Sequence, residues 1–189
     1  PTTLTATAIS GSQINLTWVD ASSNETGFQV ERSLTSGSDF TLITTTAANA
    51  TSFSNTGLNA GTQYFYRVRS VNAGGNSAYT AEANATTTVA PPAVPTTLTA
   101  TAISNSQINL TWVDASSNET GFQIERSLTS GSGFTLITTT AANATSFSNT
   151  GLNAGTSYFY RIRSVNAGGN STFTSEAAIS TRVLNFDQN

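Results

Sequence analysis

Along much of the chain, apolar side chains fall on every second residue. Leu4, Ala6 and Ala8 share one face of a first stretch. Ile14, Leu16 and Trp18 share a face of the next, with Asn15 and Thr17 opposite. Phe28 and Val30 alternate with Gln29 and Glu31, "FTLITTT" begins at Phe40, and "TSFSN" surrounds Phe53. Tyr64, Tyr66, Val68 and Ser70 then alternate with Phe65, Arg67 and Arg69. "YTAEANATT" from Tyr79 closes the series, with Ala81, Ala83 and Ala85 expected to point inward. A period of two marks strands with one buried face, and no segment holds a helical period. Thr, a residue favoured in strands, is abundant throughout. About seven short strands separated by turn residues predict an antiparallel β-sandwich.

The pattern occurs twice. "PTTLTATAIS" starts at Pro1 and again at Pro95, a period of 94 residues, and residues 1–83 differ from 95–177 at eight positions. A unit of this length suits an independent domain rather than a solenoid repeat. The expected organisation is a domain over residues 1–88, a Pro-rich linker over 89–95, a second domain over 96–184 and a tail over 185–189. Pro91, Pro92 and Pro95 oppose sheet pairing and favour a stiff extended spacer. The corresponding end of the second repeat, "STRVLNFDQN", has no proline, so the array is expected to stop there or pass into another kind of domain. The chain starts mid-pattern at Pro1, as a segment of something longer would.

The most specific motif is "GLNAGTQYFYRVRSVNAGGNS" at 57–77, repeated as "GLNAGTSYFYRIRSVNAGGNS" at 151–171. With Trp18 in "INLTW" and "GFQVERS", and their counterparts at Trp112 and "GFQIERS", it resembles the fibronectin type III domain. The resemblance covers nearly all of the chain outside the linker and the last residues, and its style is similar to the bacterial branch of that family. It implies an all-β fold of two tandem seven-stranded antiparallel sandwiches, immunoglobulin-like in architecture. It also implies a tyrosine corner, with the Tyr64 and Tyr158 hydroxyls bonding back near Leu58 and Leu152, and with Gly61 and Gly155 in the preceding turns. Bacterial modules of this kind imply a secreted or cell-surface setting and a role as spacer, stalk or interaction module without catalysis. No Arg-Gly-Asp tripeptide is present.

Composition narrows the chemistry. The chain lacks Cys, His, Met and Lys, and its 7 Arg face 10 acidic residues for a net charge of −3. Zinc, haem and iron–sulfur sites of the usual ligand types are therefore not expected, and neither is a lysine Schiff base. The charge balance argues against nucleic acid as a partner. No apolar run is long enough for a membrane span, so direct membrane insertion is not expected. Ser is plentiful, but no His, Lys or Cys accompanies it as an activating base, and the inward positions are apolar. No enzyme activity, cofactor or metal is expected.

Two candidates remain. The outward stripe Phe65, Arg67, Arg69, with Phe159, Arg161 and Arg163 in the second repeat, interleaves aromatic and basic groups. It reads either as a partner-binding face for carbohydrate or another surface protein, or as a cross-strand pair. In the second reading Glu31 opposes Arg67 for about 0.2–1 kcal/mol, and an Arg stem covers Phe65. Tyr79 and Phe173 are further candidates for an exposed aromatic platform. The loop "DASSNETGFQVE" places Asp20, Ser22 and Asn24 at EF-hand-like spacing, with Glu31 at its last position. Glu25, however, stands where that loop needs Gly, and the preferred reading is a loop whose side chains bond nearby backbone. Sequons at Asn15, Asn24, Asn49, Asn84, Asn109, Asn118, Asn143 and Asn170 follow from the Asn/Ser/Thr content and mark surface positions. The expected role is an extracellular spacer, monomeric or within a longer array. The alternatives are a binding module acting by avidity and a fibre subunit that pairs through edge strands.

Overall fold

The computed structural model describes residues 1–183, which fall into two units, Pro1–Val89 and the residues from Ala90 onward. The expected tail and the last residue of the expected second domain lie outside the described residues. The first unit contains β1 (Thr2–Ala8), β2 (Gln13–Val19), β3 (Gly27–Ser33), β4 (Thr41–Ala47), β5 (Ser52–Thr56), β6 (Gln63–Asn72), β7 (Gly75–Asn76) and β8 (Ala83–Thr86). One sheet has the order β1-β2-β5, and the other runs β4-β3-β6, with both β7 and β8 on the far edge of β6. All of these pairings are antiparallel.

The second unit repeats the plan with β9 (Thr96–Ala102), β10 (Gln107–Val113), β11 (Gly121–Ser127), β12 (Thr135–Ala141), β13 (Ser146–Thr150), β14 (Ser157–Asn166), β15 (Gly169–Asn170) and β16 (Ala177–Ser180). Its sheets are β13-β10-β9 and β12-β11-β14, with β15 and β16 on β14.

The alternation explains each core. Ile14, Leu16 and Trp18 face Phe28, Val30, Tyr64, Tyr66 and Val68 across the sandwich, all buried, with Leu58 closing one end. Trp18 packs against Phe28 with ring centroids 5.6 Å apart at a tilted angle, a favourable aromatic arrangement. The second core is built from the equivalent residues, from Ile108 to Ile162. The fully buried Tyr66 hydroxyl donates to Asn55 Oδ1 at 2.9 Å, and Tyr160 does the same to Asn149, whereas the buried indole N–H groups of Trp18 and Trp112 have no partner. Burial pushes both phenols upward, Tyr160 to about 12.

Gly27 opens β3 because nothing larger fits. A Cβ there would sit 2.2 Å from the Thr46 carbonyl oxygen of the neighbouring strand. The crowding puts backbone on backbone, so no side-chain rotation relieves it.

The last expected strand is shorter than its pattern. Of "YTAEANATT" only Ala83–Thr86 (β8) is strand, β7 lies ahead of Tyr79, and Ala81 before β8 is exposed rather than inward. The intervening segment still follows β6, but loosely. Ser77 N–H donates to Ser70 O and Thr80 N–H to Val68 O, while the Thr80 hydroxyl accepts from Val68 N–H at 3.2 Å. A side chain standing in for a backbone acceptor shifts the register and takes Ala81 off the pleat.

Residues 90–95 do not hang free of the second domain. The Ala90 carbonyl accepts from Asn118 Nδ2 at 3.0 Å and from Asn166 Nδ2 at 2.9 Å. The Ser164 hydroxyl donates to Ala93 O, and Pro92 and Pro95 are buried. The prolines do keep this segment out of the sheets. Its carbonyls, freed from ladder pairing, are taken up by side chains of the domain that follows.

Candidate functional site

The candidate stripe lies on the outer face of the β4-β3-β6 sheet. Register sets its contacts: Glu31 stands opposite Arg67, and Gln29 opposite Arg69. Arg67 donates to Glu31 Oε2 from Nε at 2.8 Å and from Nη2 at 2.6 Å. Its guanidinium is also held between two rings, 4.3 Å from the Phe40 centroid and 4.0 Å from that of Tyr79. The Tyr79 hydroxyl donates to the other Glu31 oxygen at 2.5 Å. Arg69 donates from Nε to Gln29 Oε1 at 2.8 Å and lies 4.6 Å from the same Tyr79 ring. The result is a closed clamp of carboxylate, guanidinium and two aromatic rings, in which each group is the partner of another.

The electrostatics follow. Burial alone would raise the Glu31 carboxyl, but the hydrogen bonds from Tyr79 and Arg67, with the Arg67 and Arg69 charges, outweigh it. The group is held below the usual carboxylate value. Burial, followed by the bond to Glu31 and its charge, raises the Tyr79 phenol. With only 11% of its side chain accessible, Glu31 is closed to an outside cation, whereas Arg67 keeps 32%.

The second domain repeats the clamp with one group missing. Arg161 bonds Glu125 Oε2 at 2.8 and 2.6 Å and lies between Phe134 at 4.3 Å and Phe173 at 4.1 Å. Phe173 has no hydroxyl to offer Glu125. Arg163 bonds Gln123 and stacks on Phe173 at 4.5 Å.

Phe65 sits elsewhere. It is half-buried, opposite Ser33 on one side and Asn84 on the other, and the rings over Arg67 are those of Phe40 and Tyr79. The Arg67 guanidinium thus takes its ring partners from Phe40 and Tyr79 rather than from Phe65. Residues two apart on one strand stand side by side along its axis, whereas Phe40 and Tyr79 arrive from flanking segments and can lie across the guanidinium plane. Phe159 holds the equivalent place, opposite Ser127 and, where the first domain has Asn84, Ala178.

At the start of β6, the Tyr64 ring is buried and its hydroxyl accepts a hydrogen bond from Asn59 N–H at 3.0 Å. Tyr158 accepts from Asn153 N–H at the same distance. Leu58 and Leu152, each one residue before the donor, are buried beneath the turn. Gly61 and Gly155 take φ of +63° and +60° there, the left-handed region in which a side chain is strained. The Tyr64 and Tyr158 hydroxyls are thus committed to the backbone.

Residues 1–86 and 93–181 each match the profile of the "Fibronectin type III domain". The chain belongs to the fibronectin type III family. Its fold is shared with a two-domain fibronectin type III segment of chicken tenascin. That match has a TM-score of 0.59 at 17% identity and covers 96% of this chain and 99% of that one. Among curated proteins it is 30% identical to Exoglucanase B of Cellulomonas fimi over 94% of its own length, and 29% identical to Chitinase A1 of Niallia circulans over 91%. The chain spans 16% and 24% of those relatives.

Within this fibronectin type III frame, the "DASSNETGFQVE" loop turns its oxygens toward its own chain. Asp20 Oδ1 accepts from Ser22 N–H and from the Ser22 hydroxyl, and Glu25 Oε1 accepts from Asn49 N–H at 3.0 Å. The Ser22 hydroxyl also lies 2.7 Å from Glu25 Oε2, and these bonds hold the Glu25 carboxyl below its usual value. Glu31, the expected last ligand position, lies on β3 against Arg67. Among the described residues, no group of three or more His, Cys, Asp or Glu is placed to hold a metal ion, and no helix is long and apolar enough to cross a membrane.

Proposed function

We propose that these two domains are a non-catalytic extracellular spacer in a larger polysaccharide-acting protein. One observation carries the reading. The chemically richest surface of each domain, the Arg67 and Arg161 clamp, spends its charges, donors and ring faces within the domain. A binding face would have to break those contacts before offering them to a ligand. Such a surface holds a fold together rather than offering free charges and ring faces to a ligand. The relatives named for polysaccharide substrates are several times longer than this chain, which fits a segment that positions catalytic or binding domains carried elsewhere.

The test is retention on insoluble cellulose, chitin and starch, read as depletion of the two-domain protein from solution. No saturable retention is expected on any of them. Saturable binding that disappears on Tyr79→Ala with Phe173→Ala would overturn the spacer reading and make the ring pair a sugar platform.

A further inference from the structure

Both domains carry the same groove beside the β6–β7 or β14–β15 hairpin, and only in the second does this chain fill it. In the first domain the groove is open, with a volume of about 410 Å³, and is lined by Asn24, Ser70, Asn72, Gly75 and Ser77 among others. Their counterparts are identical in type: Asn118, Ser164, Asn166, Gly169 and Ser171. On those counterparts lie residues 90–93. Asn118 and Asn166 donate their side-chain amides to the Ala90 carbonyl, and Ser164 donates its hydroxyl to the Ala93 carbonyl. Pro91 packs over Gly169, close enough that a Cβ on that glycine would sit 3.4 Å from the ring. The covering is visible in accessibility. Ser164 and Ser171 are buried, whereas Ser70 is only half-buried and Ser77 is exposed.

We propose that the groove of the first domain is a docking site for an extended Ala-Pro-Pro-Ala-Val-type segment joined in cis to Pro1. Three features select this occupant. The lining side chains are those that hold such a segment in the second domain. Pro1 is the equivalent of Pro95, the residue into which the docked segment runs, so a segment ahead of Pro1 enters at the same place and in the same direction. Proline supplies what the groove takes: a preformed extended backbone with unpaired carbonyls and no N–H to satisfy, so little conformational freedom is lost on docking. Asn24 and Asn72 then act as a carbonyl clamp, and Ser70 as a second donor three peptide units along. Each linker in an array would be fastened to the domain that follows it, making linker and domain one structural unit.

The experiment fuses residues Ala-Pro-Pro-Ala-Val directly ahead of Pro1 of the two-domain chain and compares it with a Gly-Ser-Gly-Ser-Gly fusion of equal length. The readout is the two-dimensional amide NMR spectrum. The side-chain amide resonances of Asn24 and Asn72 are expected to move toward those of Asn118 and Asn166, with the Ser77 backbone amide gaining exchange protection. The Gly-Ser fusion should leave them in place. Ser70→Ala in the proline fusion is expected to reduce these shifts while leaving the core resonances of Val30 and Val68 unchanged. Spectra of the two fusions that coincide at Asn24, Asn72 and Ser77 would overturn the proposal. So would shifts induced by the free pentapeptide but not by the fused one.

Discussion

The two clamps differ by a single hydroxyl, which makes Tyr79→Phe a controlled subtraction. In the first domain Glu31 receives Arg67 on one oxygen and Tyr79 on the other, whereas Glu125 in the second domain faces a Phe ring. A hydrogen bond to a charged group contributes about 1.5–3 kcal/mol where its partner would otherwise be left unsatisfied. Tyr79 is half-buried, so water reaching Glu31 recovers part of this, and a loss of about 1 kcal/mol is expected.

The pH dependence gives a second constraint. The folded-state Glu31 carboxyl titrates below its unfolded value, so its contribution is fully present above the unfolded value, about pH 4.3, and is lost as pH falls through the folded one. The cost of Tyr79→Phe should therefore be largest near neutrality and shrink in acid. Native-state amide exchange separates the domains: Val30 and Val68 report the first, Ile124 and Ile162 the second. The expected result is a lowered opening free energy in the first domain alone. The reciprocal Phe173→Tyr should raise that of the second. Equal changes in both domains, or a loss that persists unchanged at pH 3, would refute the reasoning.

Other substitutions probe the frame. Tyr64→Phe removes the acceptor for Asn59 N–H and should cost about 1–2 kcal/mol, read as a shifted urea midpoint with an unchanged slope. Gly27→Ala drives a Cβ into the Thr46 carbonyl and should cost more than about 2 kcal/mol, with Thr46 and Phe28 amides losing protection first. The raised phenols of Tyr66 and Tyr160 predict stability that is complete below pH 10 and falls as pH rises through their folded values. In a 295 nm titration, the Tyr66 and Tyr160 phenols should then ionise only on alkaline unfolding.

The parity of side chains was readable in the sequence because a strand has only two faces. Ile14, Tyr66 and Val30 could lie only on the apolar side, and the Glu31–Arg67 opposition followed from placing β3 beside β6. What parity does not carry is contact made from outside the strands. Phe40 precedes β4, and Tyr79 lies in the loose stretch between β7 and β8, so neither ring's position over Arg67 follows from alternation. Arg32 shows the converse. It falls on the inward face yet carries a charge, and it closes the rim of the core by lying 5.2 Å from the Tyr64 ring and donating to Asn55. The linker was legible as proline-rich, but its seating depends on Asn118, Asn166 and Ser164, far away in sequence and with nothing in their local pattern that points to the linker.

The placement of arginine has a consequence for digestion. A protease that cuts after basic residues has seven bonds to choose from, since the chain has seven Arg and no Lys. Six of those residues, Arg32, Arg67, Arg69, Arg126, Arg161 and Arg163, lie within strands, where the backbone is already engaged by its neighbours and cannot enter a protease cleft without local unfolding. Arg182 alone stands outside a strand. Its backbone is held only at the domain's edge, by Arg182 N–H to Ser104 O and Gly155 N–H to Arg182 O, so trypsin acting on the native protein should cut there first, and further cutting would measure how often a sandwich opens.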